Sequence, residues 1–141
     1  MKTTRSEFAM RALLLVPALI HLLPVSGVLG PDALARLYGL DFSDPTLELL
    51  MRHRAVLFGG VGGLLLAAIA LRHLRSAALL VGLASVVSFL GLAWLTGTHG
   101  PLIGRVVVAD WIALGCLGAS AALHFAGAAT GAANAAPPPR P

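Results

Sequence analysis

Long apolar stretches separated by short polar breaks are the main feature of this chain. A helix needs roughly 17 to 25 mostly apolar residues to cross the hydrocarbon core of a bilayer. Backbone polar groups in lipid must be satisfied within the spanning segment, which favours helices over irregular chain. Four stretches meet the length requirement, at about residues 9–25, 54–71, 77–95 and 101–125. The pattern therefore predicts an all-α integral membrane protein built as a four-transmembrane-helix bundle.

The first polar break carries helix signals of its own. A Gly-Pro-Asp turn signal at residues 30–32 precedes a short predicted helix at 33–38, which Gly39 ends. Asp44 followed by Pro45 is typical of an N-cap and the first helical position after it. The break is therefore predicted to hold a short amphipathic helix in the first outer loop, followed by the start of the second long helix.

Composition supports a membrane environment and limits the number of domains. Of the 141 residues, 57% are hydrophobic and only 11% are charged, with a mean hydropathy of +0.87. A soluble domain of this size needs far more polar surface, so membrane lipid is the expected surrounding. Residues 1–126 are predicted to form a single domain. The Ala/Gly/Pro-rich residues 127–141 are predicted to be a disordered tail.

The basic residues indicate orientation rather than a nucleic-acid partner. The net charge is +4, but the basic residues lie at segment ends without an aromatic-interleaved patch. One side of the membrane would hold Lys2, Arg5, Arg11, Arg72, Arg75 and Arg140, and the other Arg36, Arg52, Arg54 and Arg105. This bias predicts both termini in the cytoplasm of a bacterial inner membrane. A retained first helix is expected instead of a cleaved signal peptide, because three spans follow it.

Asp110 is the strongest candidate for function. It is the only acidic residue after Glu48, and it lies inside the fourth predicted span. A carboxylate at such a depth is costly, so it should face a protein interior or a wet cavity and have a partner. Arg105, five residues earlier, is roughly 7 to 8 Å nearer the outer surface and about 140° away around the helix. The expected partners are therefore Arg54 or His21 on other helices.

Two interpretations of Asp110 stay open. In the first, Ser85 and Ser88 complete a polar pocket in the outer half of the bundle, and Arg105 covers its mouth. Apolar walls with a few convergent polar groups are typical of small-molecule sites, and a carboxylate beside a histidine can exchange a proton. In the second, Asp110 and an arginine form an interhelical clamp. A direct bond between tightly packed walls indicates the clamp, whereas an intervening cavity indicates a site.

Glycines and histidines give weaker signals. Gly59 and Gly63 have the small-xxx-small spacing that allows close helix approach, within the bundle or to another subunit. No histidine pair has the spacing of a helical metal motif, so no metal site is expected, and no cofactor.

Two segments carry a family resemblance. MRHRAVLFGGVGGLLLAAIALRH, from residue 51, and SFLGLAWLTG with GRVVVAD, ending at Asp110, resemble a group of small uncharacterised bacterial four-span membrane proteins. The resemblance spans most of the chain between residues 38 and 110. Members often carry the label phosphopantetheine adenylyltransferase. The soluble enzymes of that name need a parallel sheet and an H-x-G-H-type motif, and this chain has neither.

The layout is also similar to that of the DoxX-like group, whose roles are poorly defined. The resemblance implies that a small set of positions belongs together, and it supplies no reaction. Those positions are Arg52, His53, Arg54, Arg105 and Asp110.

Three functions follow as hypotheses. The first is a pocket in the outer half of the bundle for a lipid-like or small apolar molecule, which leaves open whether the protein is an enzyme. The second is an accessory subunit of a larger membrane complex or a homo-oligomer, motivated by the glycine face. The third and weakest is a proton-coupled transporter, because four-span exporters carry an embedded Glu in their first helix, where this chain has His21.

Overall fold

Helices account for almost all of the described chain. A computed structural model describes the backbone of residues 2–97 and 100–135, and the side chains of residues 5–97 and 100–127. The helices are α1 (Lys2–Leu22), α2 (Pro31–Tyr38), α3 (Pro45–Ala70), α4 (Arg75–Thr96) and α5 (Pro101–Ala135). Short 3-10 segments at Leu23–Leu29 and Arg72–Leu74 follow α1 and α3. No strand occurs within the described ranges, so the prediction of an all-α fold is confirmed.

Four helical segments are long and apolar enough to cross a membrane, counted over the described residues. They are Arg5–Leu29, Pro45–Ala70, Arg72–Thr96 and Pro101–Gly127. Each contains one of the predicted spans to within a residue. The number and positions of the apolar helices therefore follow the hydropathy pattern.

The long helices form a closed ring of contacts. α1 packs against α3 and α5, and α4 packs against the same two helices. Each long helix contributes a side chain with no exposed surface to the common core, namely Leu14, Leu65, Val86 and Leu117. Short connections make α3, α4 and α5 antiparallel neighbours, as expected of a bundle.

The helix signals in the first polar break are confirmed. Asp44 caps α3 by accepting a hydrogen bond from the Thr46 amide at 2.8 Å, with Pro45 in the first position. Gly39 ends α2 in the left-handed conformation, with φ of 69°. α2 buries Ala33, Leu34 and Tyr38. The short amphipathic helix is thereby fixed against the rest of the protein.

Two segments differ from the prediction. The basic break at 72–75 is a single 3-10 turn, and Arg75 already opens α4. α5 continues to Ala135, so the described part of the predicted tail is helical, whereas 136–141 lie outside the described residues. Alanine has the highest helix propensity, which explains how an Ala-rich segment extends the helix despite its glycines.

The close approach between α1 and α3 uses a different glycine pair from the predicted one. A Cβ added to Gly62 would lie 2.8 Å from Leu22 Cγ and 3.0 Å from the Ala18 carbonyl oxygen. A Cβ added to Gly59 would lie 3.3 Å from Val25, whereas Gly63 has nothing within 4 Å. Gly62 and Gly63 lie three and four residues after Gly59, and both spacings place a residue on the same helix face. Sequence spacing alone therefore does not show which of the two contacts α1.

One end of the bundle is held by ion pairs. Glu7 of α1 accepts from Arg72 at 2.8 Å and from Arg75 at 2.9 Å. Arg75 is only 4% exposed, and its Nε also donates to the Ala68 carbonyl at 3.3 Å. We call this cluster, Glu7 with Arg72 and Arg75, the Glu7 end. It ties the start of α1 to the junction between α3 and α4.

Candidate functional site

A cavity opens at the opposite end of the bundle from Glu7. Its volume is about 470 Å³, and it lies where α1, the first 3-10 segment, α2, α3 and α5 meet. Its apolar walls include Leu23, Leu37, Phe58, Leu102 and Val106. Its polar lining consists of His21, Ser26, Arg36, Tyr38, Arg54, Arg105 and Asp110. We call this region the cavity end.

Asp110 lines the cavity without a direct partner. It is 7% exposed, and its carboxylate makes no hydrogen bond and no ion pair within 4.0 Å among the described residues. Arg54 lies on the same cavity and acts on Asp110 electrostatically, but beyond ion-pair distance. The structure thus brings together the residues predicted as partners and leaves a space between them instead of a bond.

Aromatic rings hold the Arg54 guanidinium in place. Its central carbon lies 4.6 Å from the ring centre of Phe58, 5.6 Å from that of Tyr38 and 5.8 Å from that of Phe89. Such cation–π contacts stabilise a cation that has lost part of its water. Arg54 precedes Phe58 by four residues on α3, so the two side chains share a helix face, and Tyr38 reaches Arg54 from α2. The short amphipathic helix therefore positions this arginine.

Tyr38 adds a hydrogen bond to the same group. Arg54 Nη1 donates to the Tyr38 hydroxyl oxygen at 3.2 Å. Burial raises the pKa of the Tyr38 phenol above its ordinary value, against the opposing effect of the Arg54 charge. The phenol is therefore neutral at physiological pH, and it accepts from Arg54 while keeping its own proton.

His21 is engaged by the protein on both ring nitrogens. Nδ1 donates to the Pro17 carbonyl at 2.8 Å, and Nε2 lies 3.2 Å from Ser85 Oγ. In a neutral ring this donation leaves Nε2 as the acceptor of the Ser85 hydroxyl. The ring is 2% exposed and lies 5.5 Å from that of Phe58. Both His21 nitrogens are thus used within the protein, and the ring forms part of the cavity surface. The Asp110 carboxylate, by contrast, can still accept hydrogen bonds from a ligand.

The two predicted serines lie behind or outside the cavity. Ser85 reaches His21 and does not border the space itself. Ser88 is exposed and donates to the Ser85 carbonyl of its own helix at 3.0 Å. Three residues along a helix leave the two serines about 60° apart around α4, and this places Ser85 half-buried toward α1 and Ser88 at the exposed surface. Ser85 therefore supports the site and Ser88 does not take part in it.

Two exposed arginines stand around the cavity. Arg105 of α5 borders it, where the sequence predicted a residue covering the mouth, and Arg36 of α2 borders it too. Neither makes an ion pair within the described residues. Arg36 was not predicted, and neither were Tyr38 and Phe58. The spacing of Phe58 four residues after Arg54 was the one available signal, since such pairs share a helix face.

The five positions implied by the family resemblance separate in the structure. Arg54, Arg105 and Asp110 line the cavity. Arg52 is exposed and pairs with Glu48 at 3.1 Å, and its Nε donates to the Val28 carbonyl. His53 is exposed and does not border the cavity. Only the first three can act on one ligand.

A metal ion has no obvious ligand set in the part of the chain that the structure describes. No group of three or more His, Cys, Asp or Glu side chains converges there. Arginines, which surround the cavity, are poor metal ligands because they offer only donors.

Comparison of the chain with family models, with curated proteins and with solved structures finds no match. What the cavity holds must therefore follow from its own residues.

Proposed function

We propose that this protein is an integral membrane protein that binds a lipid-like or small apolar molecule in the cavity beside Asp110. The observation that carries the proposal is the unpaired Asp110 carboxylate, 7% exposed, facing a space of about 470 Å³. Small-molecule sites commonly have volumes of roughly 300 to 1,000 Å³ and apolar walls with a few polar groups. The cavity has this composition.

The absence of a direct Asp110–Arg54 bond argues against the clamp. A buried carboxylate that serves packing alone is stabilised only when a partner satisfies it at close range. No described basic side chain lies at ion-pair distance from Asp110. A ligand group that donates a hydrogen bond to the Asp110 carboxylate would offset the free-energy cost of its desolvation. The unpaired carboxylate is therefore better explained by ligand binding than by helix packing.

Topology gives the cavity a side of the membrane. Arg5 and Arg11 of α1 lie on the same side of the bundle as the Glu7 end, which already holds Arg72 and Arg75. Positive residues favour the cytoplasmic side. In our proposal both termini therefore lie in the cytoplasm of a bacterial cell, and the cavity opens toward the outer leaflet. Large exposed apolar side chains such as Leu80, Leu92 and Phe125 would then contact lipid.

Native mass spectrometry tests the binding proposal. Protein released from a mild detergent should carry a bound molecule, and Asp110→Asn and Arg54→Ala should each reduce its occupancy about tenfold or more. Loss of a hydrogen bond to a charged group costs about 1.5–3 kcal/mol, which corresponds to this change.

Ser88→Ala is the matched control, because Ser88 is a polar residue that the sequence predicts in the pocket but that does not border the cavity. It should retain the molecule as the unsubstituted protein does. Equal melting temperatures of the variants would show that they fold. The proposal fails if the unsubstituted protein carries no molecule and both cavity variants behave like it.

One observation favours the second hypothesis, an accessory subunit. Gly60 and Gly63 are exposed on α3, and an added Cβ would meet nothing within 4 Å at either position. Small residues allow another helix to approach closely. Crosslinking from the variant Gly63→Cys should then capture a second chain in native membranes, and recovery of the monomer alone would exclude this role.

A further inference from the structure

The cavity end holds an excess of positive charge that no described residue neutralises. Arg36, Arg54 and Arg105 border the same space as a single carboxylate, Asp110. None of these four side chains makes an ion pair among the described residues. By contrast, Arg52, Arg72 and Arg75 are each paired with a glutamate. If all four cavity groups are charged, the space has a net charge of +2.

The donors on these arginines are largely unused. A guanidinium carries five N–H donors in a planar fork. Arg54 is held by three rings and uses Nη1 for Tyr38, which leaves the rest of the fork free. Arg36 and Arg105 make no side-chain hydrogen bond within the described residues and border the cavity from α2 and α5. Three forks from different helices suit a group with several acceptor oxygens.

We infer that the occupant carries a phosphate group, which Arg36, Arg54 and Arg105 bind, on an amphiphile whose hydroxyl or ammonium donates to Asp110. This inference rests on the proposed binding function and specifies its ligand. A phosphate monoester has up to two negative charges and three terminal oxygens, and so matches both the net charge and the number of arginines. The apolar walls at Leu23, Leu37 and Val106 face the hydrocarbon part of the same molecule.

The depth of the charged groups fits a ligand with a polar head of several ångströms. Asp110 lies five residues beyond Arg105 on α5, which corresponds to roughly 7–8 Å along the helix axis. A phosphate near Arg105 and a hydroxyl a few bonds away can therefore reach both ends of the polar lining. The phosphate belongs either to a lipid head group or to a soluble phosphate ester, and the probes below distinguish these sources.

Three probe molecules separate the contribution of the phosphate to binding from that of the acyl chain. Oleoyl lysophosphatidic acid carries a phosphate, a free hydroxyl and one acyl chain. Mono-oleoylglycerol has the same chain without the phosphate, and glycerol 3-phosphate has the head group without the chain. Delipidated protein in neutral detergent is mixed with each probe. Native mass spectrometry then gives the occupancy, and the fluorescence of Trp94 and Trp111 gives the melting temperature.

Lysophosphatidic acid should bind at least about tenfold more tightly than mono-oleoylglycerol, because charge-assisted hydrogen bonds are the strong ones. Arg36→Gln and Arg105→Gln should each reduce its occupancy about tenfold. Both side chains are exposed, so the variants should fold. Arg52→Gln is the matched control, since Arg52 is exposed but pairs with Glu48 away from the cavity. Its occupancy should equal that of the unsubstituted protein.

The outcomes separate this inference from the binding proposal. Equal binding of mono-oleoylglycerol, or an equal effect of Arg36→Gln and Arg52→Gln, overturns the phosphate inference and leaves the binding function intact. A cavity that retains no native molecule and none of the probes overturns both. Binding of glycerol 3-phosphate as tightly as the lipid supports the phosphate site and assigns it to a soluble ester. Binding of the lipid alone assigns it to a head group.

Discussion

The two ends of this bundle differ in whether their buried charged side chains form ion pairs. At the Glu7 end, one carboxylate meets two guanidiniums at 2.8 and 2.9 Å, and one of these guanidiniums, that of Arg75, is buried. At the cavity end, a more deeply buried carboxylate and three guanidiniums share a space without an ion pair among the described residues. A bundle that needs charges only for packing pairs them directly, because unpaired buried charge is costly. The comparison supports our proposal that the Glu7 end has a structural role and that the cavity end binds a ligand.

The largest expected effect is at the Glu7 end. Glu7→Gln removes the charge that neutralises Arg75, whose side chain is only 5% exposed. Breaking a buried pair from one side typically costs about 3–5 kcal/mol, and the 25% exposure of Glu7 places the loss near the lower limit. Unfolding in mixed micelles of a mild detergent and dodecyl sulfate, followed by tryptophan fluorescence, measures it.

A matched surface pair gives the control for this prediction. Glu48→Gln breaks the Arg52 pair, whose arginine side chain is 47% exposed, and should cost less than about 1 kcal/mol. Equal losses from Glu7→Gln and Glu48→Gln would contradict the structural role of the Glu7 end. Combining Glu7→Leu with Arg75→Met should recover much of the loss, because no unpaired buried charge then remains: Arg72 also loses its partner, but its side chain is 66% exposed.

An intermediate effect is expected where α1 crosses α3 between the two ends. Gly62→Ala places a methyl group 2.8 Å from Leu22 Cγ and 3.0 Å from the Ala18 carbonyl, which forces the helices apart. Overpacking of this kind costs about 1–3 kcal/mol. Gly63→Ala meets nothing within 4 Å and should be neutral or stabilising by up to about 1 kcal/mol. The same unfolding assay compares the stabilities of the two variants. Equal stabilities would show that α1 and α3 do not make their close contact at Gly62.

The smallest effect on stability is expected at Asp110. Asp110→Asn removes a buried charge that has no direct protein partner, so the free energy of unfolding should change by less than about 1 kcal/mol or rise slightly. The same variant should lose the bound molecule. A loss of stability as large as that of Glu7→Gln would instead indicate a clamp, and the contrast between the two ends would disappear.

Local rules accounted for much of the fold. The spans follow from the length and hydropathy of the segments, because backbone groups in lipid leave few alternatives to a helix. Asp44 with Pro45 and the glycine at 39 act through neighbouring backbone atoms, and these signals gave the end of α2 and the start of α3. Gly62 shows the limit of such rules. Whether Gly62 or Gly63 contacts α1 depends on where α1 crosses α3, which neighbouring residues do not determine.

The sequence by itself determined the kind of protein and its most important residue. Hydropathy defines four apolar helices, and the cost of a charge in such a helix singles out Asp110. Only the tertiary structure decided what surrounds that carboxylate. Arg75 is 68 residues from its partner Glu7. Arg36 borders the cavity from α2, far along the chain from Asp110 on α5. Contacts over such separations depend on how the helices pack, which no local pattern of residues encodes.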